Sequence, residues 1–275
     1  MQNDPRARHA EIASALGVQP EIDVEAECER RIAFLVDHLQ RSGLQSLVLG
    51  ISGGIDSTLA GRLCQLAVEH CRASGLEVQF YAMRLPYGEQ RDAADAQRAI
   101  EFIRPDQTLT VDIKPAADQL LAELEASGLT FASAGQRDFV LGNIKARQRM
   151  VAQYAVAGAR AGLVVGTDQA AEAVMGFFTK FGDGACDLIP LAGLTKRQVR
   201  ALAGHLGAPR DLVEKVPTAD LESLQPLKPD EEAYGLSYDQ IDDFLEGKPV
   251  SPTVATEIVR TYDRSAHKRA MPPGP

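Results

Sequence analysis

The sequence predicts an α/β protein, a doubly wound parallel sheet flanked by helices. Three observations carry that expectation. Short apolar, β-rich runs alternate with amphipathic stretches, the pattern of βαβ units. The run Leu163-Val164-Val165-Gly166 is apolar throughout, as strands sandwiched between two helical layers are. A glycine-rich turn joins the first β-rich run to a helix, and right-handed crossovers then wind such units into one sheet.

The elements follow in order. Residues 1–20 are polar and are expected to be loosely held. From Glu21 to Gln40, Ile22, Ala26, Ala33, Val36 and Leu39 recur with a helical period between charges. Leu44 to Ile51 is the first strand, and Ser57 to Arg72 a helix with Leu59, Leu63 and Leu66 on one face. Val78–Met83 and Thr108–Ile113 read as strands, separated by a helix over Arg91–Ile103. Ala116–Glu125 and Arg137–Ala159 are helical and precede the strand Leu163–Gly166. Beyond Pro190 the pattern is helical: Thr195–Leu206, Asp211–Lys215, Ser237–Leu245 and Pro252–His267. Leu224 to Asp230, with Pro226 and Pro229, reads as an irregular loop inside one domain. Residues 1–275 are therefore expected to form a single domain, with a C-terminal helix and tail over 250–275.

Composition narrows the function. The 275 residues carry a formal charge of −9, which disfavours a broad nucleic-acid footprint but leaves room for a local anion pocket. No apolar run approaches the roughly 18 residues of a membrane span, and the start shows no apolar secretory segment. Cys28, Cys64, Cys71 and Cys186 contain no CxxC pair, so no zinc knuckle or redox dithiol is expected. A reducing cytoplasm is the simplest setting.

The sharpest feature is Gly50-Ile51-Ser52-Gly53-Gly54-Ile55-Asp56-Ser57-Thr58, which leaves the first strand and opens a helix. Adjacent glycines let successive backbone N–H groups curl round an anion, and the helix adds its positive end. Ser52 and Ser57 add hydroxyls. Asp56 would repel phosphate unless Mg²⁺ lay between them. The loop is neither GxxxxGK[ST] nor GxGxxG. A plain strand–turn–helix junction with Asp56 as N-cap is the bland alternative.

SGGxDS after a strand resembles the pyrophosphate loop of the N-type ATP pyrophosphatases. Further motifs narrow the likeness: Arg84-Leu85-Pro86-Tyr87-Gly88, Gly142 to Arg147, Gly166-Thr167-Asp168 through Glu172, and Gly176 to Gly184. Leu194-Thr195-Lys196-Arg197, Pro217 to Leu221 and His267-Lys268-Arg269 complete a series. In that order, from about Glu21 to Arg269, the chain resembles ammonia-dependent NAD synthetases. Ile55 stands where many members are expected to carry Gln, which touches only fine contacts to ATP.

The resemblance implies an adenine-nucleotide alpha-hydrolase-like, Rossmann-like fold. It implies ATP binding by Gly50, Ile51, Ser52, Gly53, Gly54, Ile55, Asp56 and Ser57, with Arg84, Thr167, Lys196 and Thr218. Asp56 and Glu172 would hold Mg²⁺, although alone Glu172 and Lys196 read more readily as solvated first-turn charges. Thr167 follows a strand, at the sheet edge where such folds bind ligands. Asn143, Arg147 and Tyr154 fall on one helical face and are implied in binding deamido-NAD, with Phe177, Lys180, Asp187, His267 and Lys268. Lys145 and Arg149 lie off that face and suit a salt-bridged surface. Gly182 and Gly184 suggest a mobile loop carrying Lys180 and Asp183 that would shield an acyl-adenylate from water. In the family this long helix lies at a homodimer interface that the dinucleotide spans.

The implied reaction adenylates the nicotinate carboxylate of deamido-NAD with ATP, releasing pyrophosphate. Ammonia then displaces AMP to give NAD. Asp183 is the candidate for binding or deprotonating ammonium, and Lys196 for neutralising pyrophosphate. Glutamine-using relatives carry a further amidase domain, whereas 49 residues precede Gly50 here, so free ammonia is the expected nitrogen source. The alternatives are another adenylating amidotransferase, a tRNA sulfurtransferase with the same loop, or a non-catalytic nucleotide sensor. The acidic charge and missing CxxC disfavour thiolation, and Asp56 with Glu172 favours turnover.

Overall fold

A computed structural model describes residues 5–88, 93–219, 224 and 228–274. The chain runs α1 (Pro5–Ala15), α2 (Val24–Ser42), β1 (Ser46–Gly50), α3 (Ile55–Ala73), β2 (Gln79–Arg84), α4 (Ala93–Ile103), β3 (Gln107–Thr110), α5 (Lys114–Ala126), α6 (Ala134–Ala159) and β4 (Gly162–Val164). It continues through α7 (Ala170–Met175), α8 (Lys196–His205), α9 (Arg210–Val213), β5 (Thr218–Ala219), β6 (Lys228–Pro229), α10 (Asp230–Tyr234), α11 (Tyr238–Leu245), α12 (Pro252–Arg264) and α13 (Ala266–Arg269).

β1 to β4 pair in the order β3-β2-β1-β4, every pair parallel. β1 is central, with β2 on one side and β4 on the other. Winding reverses there, so the carboxyl ends of β1 and β4 flank the crevice where open α/β sheets bind ligands. The loop after β1 and Thr167 after β4 both reach that crevice. Leu47 and Leu49 point to one face, packing with Leu35 and Leu39 of α2 and Leu59 and Leu63 of α3. Val48 faces the other side with Met83 and Val164. This alternation is the two-residue period of a strand buried on both faces.

A second apolar cluster joins α1, α7, α11 and α12. Where the sequence leads one to expect a loosely held start, α1 buries Ile12 completely among these helices. The polar appearance of that segment comes from its outer face. Other boundaries shift for local reasons. α6 begins before Arg137 because Ser133 caps it, its hydroxyl accepting from Gln136 N at 3.1 Å. The helix expected over Pro252–His267 breaks at Ser265, whose hydroxyl donates to the Thr261 carbonyl at 2.8 Å. Within the expected irregular stretch from Leu224 to Asp230, Lys228–Pro229 pairs antiparallel with Thr218–Ala219. Pro226, Arg91 and the motif residues Asp220 and Leu221 lie outside the described residues.

Candidate active site

The loop after β1 is held open by its own residues. Gly54 is the N-cap of α3 and, having no side chain, supplies no capping hydrogen bond to the first N–H groups of the helix. The positive end of α3 is thereby left facing the crevice. Ser52 and Ser57 share a hydrogen bond of 3.1 Å, and Ser57 donates to the Gly54 carbonyl at 3.1 Å. Gly53 has φ +83°, and a Cβ there would lie 2.5 Å from the backbone N of Ala96. This position therefore requires glycine twice over, for its backbone angle and for its contact with α4. Gln153 of α6 accepts from Gly50 N at 2.8 Å, tying the end of β1 to the long helix.

Asp56, the second residue of α3, does not cap the helix. Its Oδ2 meets Lys196 Nζ at 2.6 Å, and Glu172 of α7 lies 3.7 Å from the same ammonium. Lys196 is the first residue of α8, and its side chain is 1% exposed. Asp242 fixes that helix start, accepting from Lys196 N at 3.1 Å and Arg197 N at 2.7 Å. Burial lowers the Lys196 proton affinity, but the Asp56 and Glu172 carboxylates outweigh it and hold the ammonium charged. Burial, and then the Asp56 charge, push Glu172 well above the carboxylate range. Asp56 Oδ1 is buried with no hydrogen-bond partner among the described residues. Among those residues no cluster of three or more His, Cys, Asp or Glu could hold a metal. Two carboxylates with one orphaned oxygen do fit a hard divalent cation whose remaining ligands are phosphate oxygens and water.

These groups open into a cleft of about 500 Å³. Residues 50–52 and 54–57 line it with Thr167, Glu172, Lys196 and Thr218. Gly53 stands against α4, and Arg84 ends β2 and donates to the Ala93 carbonyl at 3.3 Å, outside the cleft lining. Of the residues expected on the dinucleotide side, Asn143, Phe177 and Lys268 line the cleft, as does Asp183. Phe177 packs edge-on against Tyr234 with ring centroids 4.6 Å apart. Lys268 donates to the carbonyls of Gly176 and Phe178, both at 2.8 Å, which docks the basic tail. Arg147, Tyr154, Lys180, Asp187 and His267 lie outside the lining. Arg147 donates to the Lys180 carbonyl at 3.2 Å, Tyr154 meets Asp187 at 3.4 Å, and His267 is exposed.

The stripe of α6 that faces the cleft runs through Phe139, Asn143, Ala146, Arg149 and Gln153. It is turned about a quarter of the helix circumference from the face through Asn143, Arg147 and Tyr154. Arg149, expected on the surface, lines the cleft and donates to the Leu85 carbonyl at 3.1 Å. Lys145, also expected on the surface, is buried with its ammonium 4.0 Å from the Tyr87 ring centroid. Sequence reasoning also passes over Lys215, three residues before Thr218, and Gln153. Their only sequence signal is proximity to Thr218 for the first and spacing from Asn143 for the second.

The glycines beside Asp183 answer to space. A Cβ on Gly182 would come 2.9 Å from the Thr179 side chain, and one on Gly184 2.5 Å from the Phe178 ring. Asp183 accepts from Thr179 N at 2.9 Å, and burial raises its pKa. Asp168, after Thr167, is pushed up to about 7 by burial and by the nearby Asp183 and Asp56 carboxylates. Asp168 and Asp183 thus make an acidic corner near the loop after β1.

A family described as NAD synthase matches residues 27–272. The chain belongs to the NAD synthase family. An NH(3)-dependent NAD(+) synthetase of Burkholderia pseudomallei is 64% identical over 98% of this chain and 95% of its own length. The crystal structure of an NAD+ synthetase from Burkholderia pseudomallei superposes with a TM-score of 0.85, at 62% identity and 98% coverage of both chains. An NMN synthetase from Francisella tularensis superposes at 0.80, with 35% identity over 93% of this chain and 99% of that one. The parallel sheet and the loop after β1 are thus those of the family's adenine-nucleotide alpha-hydrolase-like fold.

Proposed function

We propose that this chain is a ligase that amidates deamido-NAD to NAD with ammonia and ATP, releasing pyrophosphate and AMP. The carrying observation is that carboxylates from two separate segments, Asp56 and Glu172, meet on Lys196 at the mouth of the glycine loop. The 64% identity with an NH(3)-dependent NAD(+) synthetase supports the same reading of substrate and nitrogen source.

The loop backbone, Ser52, Ser57 and the α3 N-terminus bind the triphosphate, and Thr167 and Thr218 flank the nucleotide. Asp56 and Glu172 hold Mg²⁺, which when bound neutralises phosphate charge. A nicotinate carboxylate oxygen attacks the α-phosphorus of ATP, and the bond to the bridging oxygen breaks with the electron pair leaving on pyrophosphate. Lys196 offsets that charge. Ammonia then attacks the adenylated carbonyl and AMP departs. Asp183, buried beside the cleft, takes the proton that ammonium must lose. Burial raises its affinity for a proton above that of an ordinary carboxylate, as a base requires. Phe177 and Lys268 meet the dinucleotide from the other wall. Arg84, Arg147, Tyr154, Lys180, Asp187 and His267 are assigned to substrate on the strength of the resemblance. Arg147 and Tyr154 then act at a homodimer interface along α6, with a second copy completing the dinucleotide site. No described helix is long and apolar enough to cross a membrane, and we place the enzyme in the cytoplasm as one domain over 1–275.

The test is pyrophosphate release with ATP, Mg²⁺ and an ammonium salt, offering deamido-NAD or its mononucleotide counterpart, and then glutamine in place of ammonium. Pyrophosphate with NAD, only with deamido-NAD and ammonium, establishes the reaction. Turnover only with the mononucleotide reassigns the acid, and absence of pyrophosphate with either acid removes the assignment. Asp183→Asn should bind both nucleotides and lose amidation; unchanged turnover would strip Asp183 of its role.

A further inference from the structure

The cleft holds a second lysine at the glycine loop. Lys215 lies between α9 and β5 and lines the cleft. Its Nζ is 2.5 Å from Asp95 Oδ2 and 3.5 Å from the Gly53 carbonyl oxygen. Asp95 is itself a neighbour of the loop, since a Cβ on Gly53 would lie 2.8 Å from its carbonyl carbon. Lysine, carboxylate and loop therefore meet at one point.

We propose that Lys215 is a second cationic ligand for the departing pyrophosphate, held by Asp95 at rest and passed to the phosphates during adenylation. This rests on the adenylation chemistry proposed above.

Three features favour transfer over a fixed salt bridge. First, Asp95 has another cation, because Arg98 donates to its Oδ1 at 2.6 Å. When Lys215 leaves, no carboxylate is stranded without a partner, the outcome that makes breaking most partly buried pairs costly. Second, Lys196 divides its charge: Asp56 and Glu172 both lie against its one ammonium. A second cation therefore adds to what Lys196 can offer a leaving group that gains charge as its bond to the α-phosphorus breaks. Third, the Lys215 side chain is 22% exposed, and an ammonium on four flexible carbons can swing from Asp95 to a phosphate beside Gly53 without backbone movement. The electron pair of the broken P–O bond stays on pyrophosphate, and the ammonium compensates it.

The experiment titrates inorganic pyrophosphate with Mg²⁺ into the full-length wild type, Lys215→Met, Lys215→Arg and Asp95→Asn by calorimetry. Thermal unfolding checks each fold. Loss of a charge-assisted contact predicts that Lys215→Met weakens pyrophosphate roughly 10- to 100-fold while deamido-NAD binds as before. Lys215→Arg keeps most of the affinity. Asp95→Asn tightens pyrophosphate, because the lysine is no longer held back. Wild-type affinity in Lys215→Met overturns the proposal. So does Asp95→Asn weakening pyrophosphate as Lys215→Met does, which is the signature of a purely structural pair. Should Lys215→Met fail to fold, the sign of the Asp95→Asn effect decides alone. The titration needs no turnover, so a wild type that binds pyrophosphate yet releases none from ATP and deamido-NAD would remove the reaction assignment and leave this result standing.

Discussion

Replacing Asp168 by Asn should flatten part of the pH dependence of stability. Burial and the neighbouring Asp183 and Asp56 carboxylates raise Asp168 from 3.8 to about 7. A carboxyl whose folded pKa lies above its unfolded one favours the folded state while protonated. That contribution is complete below about pH 4 and is lost as pH rises through 7. The full difference amounts to about 4 kcal/mol, and some 2–3 kcal/mol of it falls between about pH 5 and pH 8. Asn at this site cannot ionise. Asp183, Glu172 and Asp242 are also raised, the last to about 6, but they remain in both proteins and largely cancel. Urea unfolding at the two pH values measures the effect. The wild type should lose about 2 kcal/mol more than Asp168→Asn on going to pH 8. Equal losses would refute the argument, because they would mean that Asp168 ionises in the folded protein as easily as in the unfolded chain.

Gly53→Ala should cost about 2 kcal/mol or more, since alanine resists the positive φ and its methyl would sit 2.5 Å from the Ala96 nitrogen. ATP titration should show an affinity loss of about tenfold or greater, because the whole loop must shift. Asp242→Ala removes the acceptor for the first two N–H groups of α8 and should lower stability by about 1–2 kcal/mol. Steady-state kinetics should then show kcat falling more than KM changes, because Lys196 starts that helix. The native protein should resist thiol reagents at neutral pH. Burial pushes Cys28 up to about 11 and Cys186 up to about 12, and raises Cys64 and Cys71 too. Mass spectrometry with and without denaturant checks this, and rapid labelling of native Cys186 would contradict it.

The fold was legible because its signals are local. Alternation of strand and helix patterns marks all four strands of the parallel sheet, and the run Gly50–Thr58 marks the turn from β1 into α3 at the carboxyl edge of that sheet. Boundaries were less legible where a single side-chain bond decides them, as at Ser133 and Ser265. The first helix escaped notice because one deeply buried residue, Ile12, anchors it among polar neighbours.

The candidate site divides in the same way. By itself, the sequence determined which residues make the loop after β1, since Gly53, Gly54, Asp56 and Ser57 are neighbours along the backbone. It could not determine which stripe of α6 faces the cleft. A helix rotates about 100° per residue, and the packing of α6 on β1 and β4, not its own spacing, sets its rotation. Arg149 therefore enters the cleft while Arg147 turns to the Lys180 carbonyl. Tertiary structure alone decided that Lys196 lies between Asp56 and Glu172, and that Lys215 meets Asp95 beside Gly53. Those partners lie on separate elements far apart along the chain. Their meeting depends on how the sheet and helices close over one another, which no local pattern of residues records.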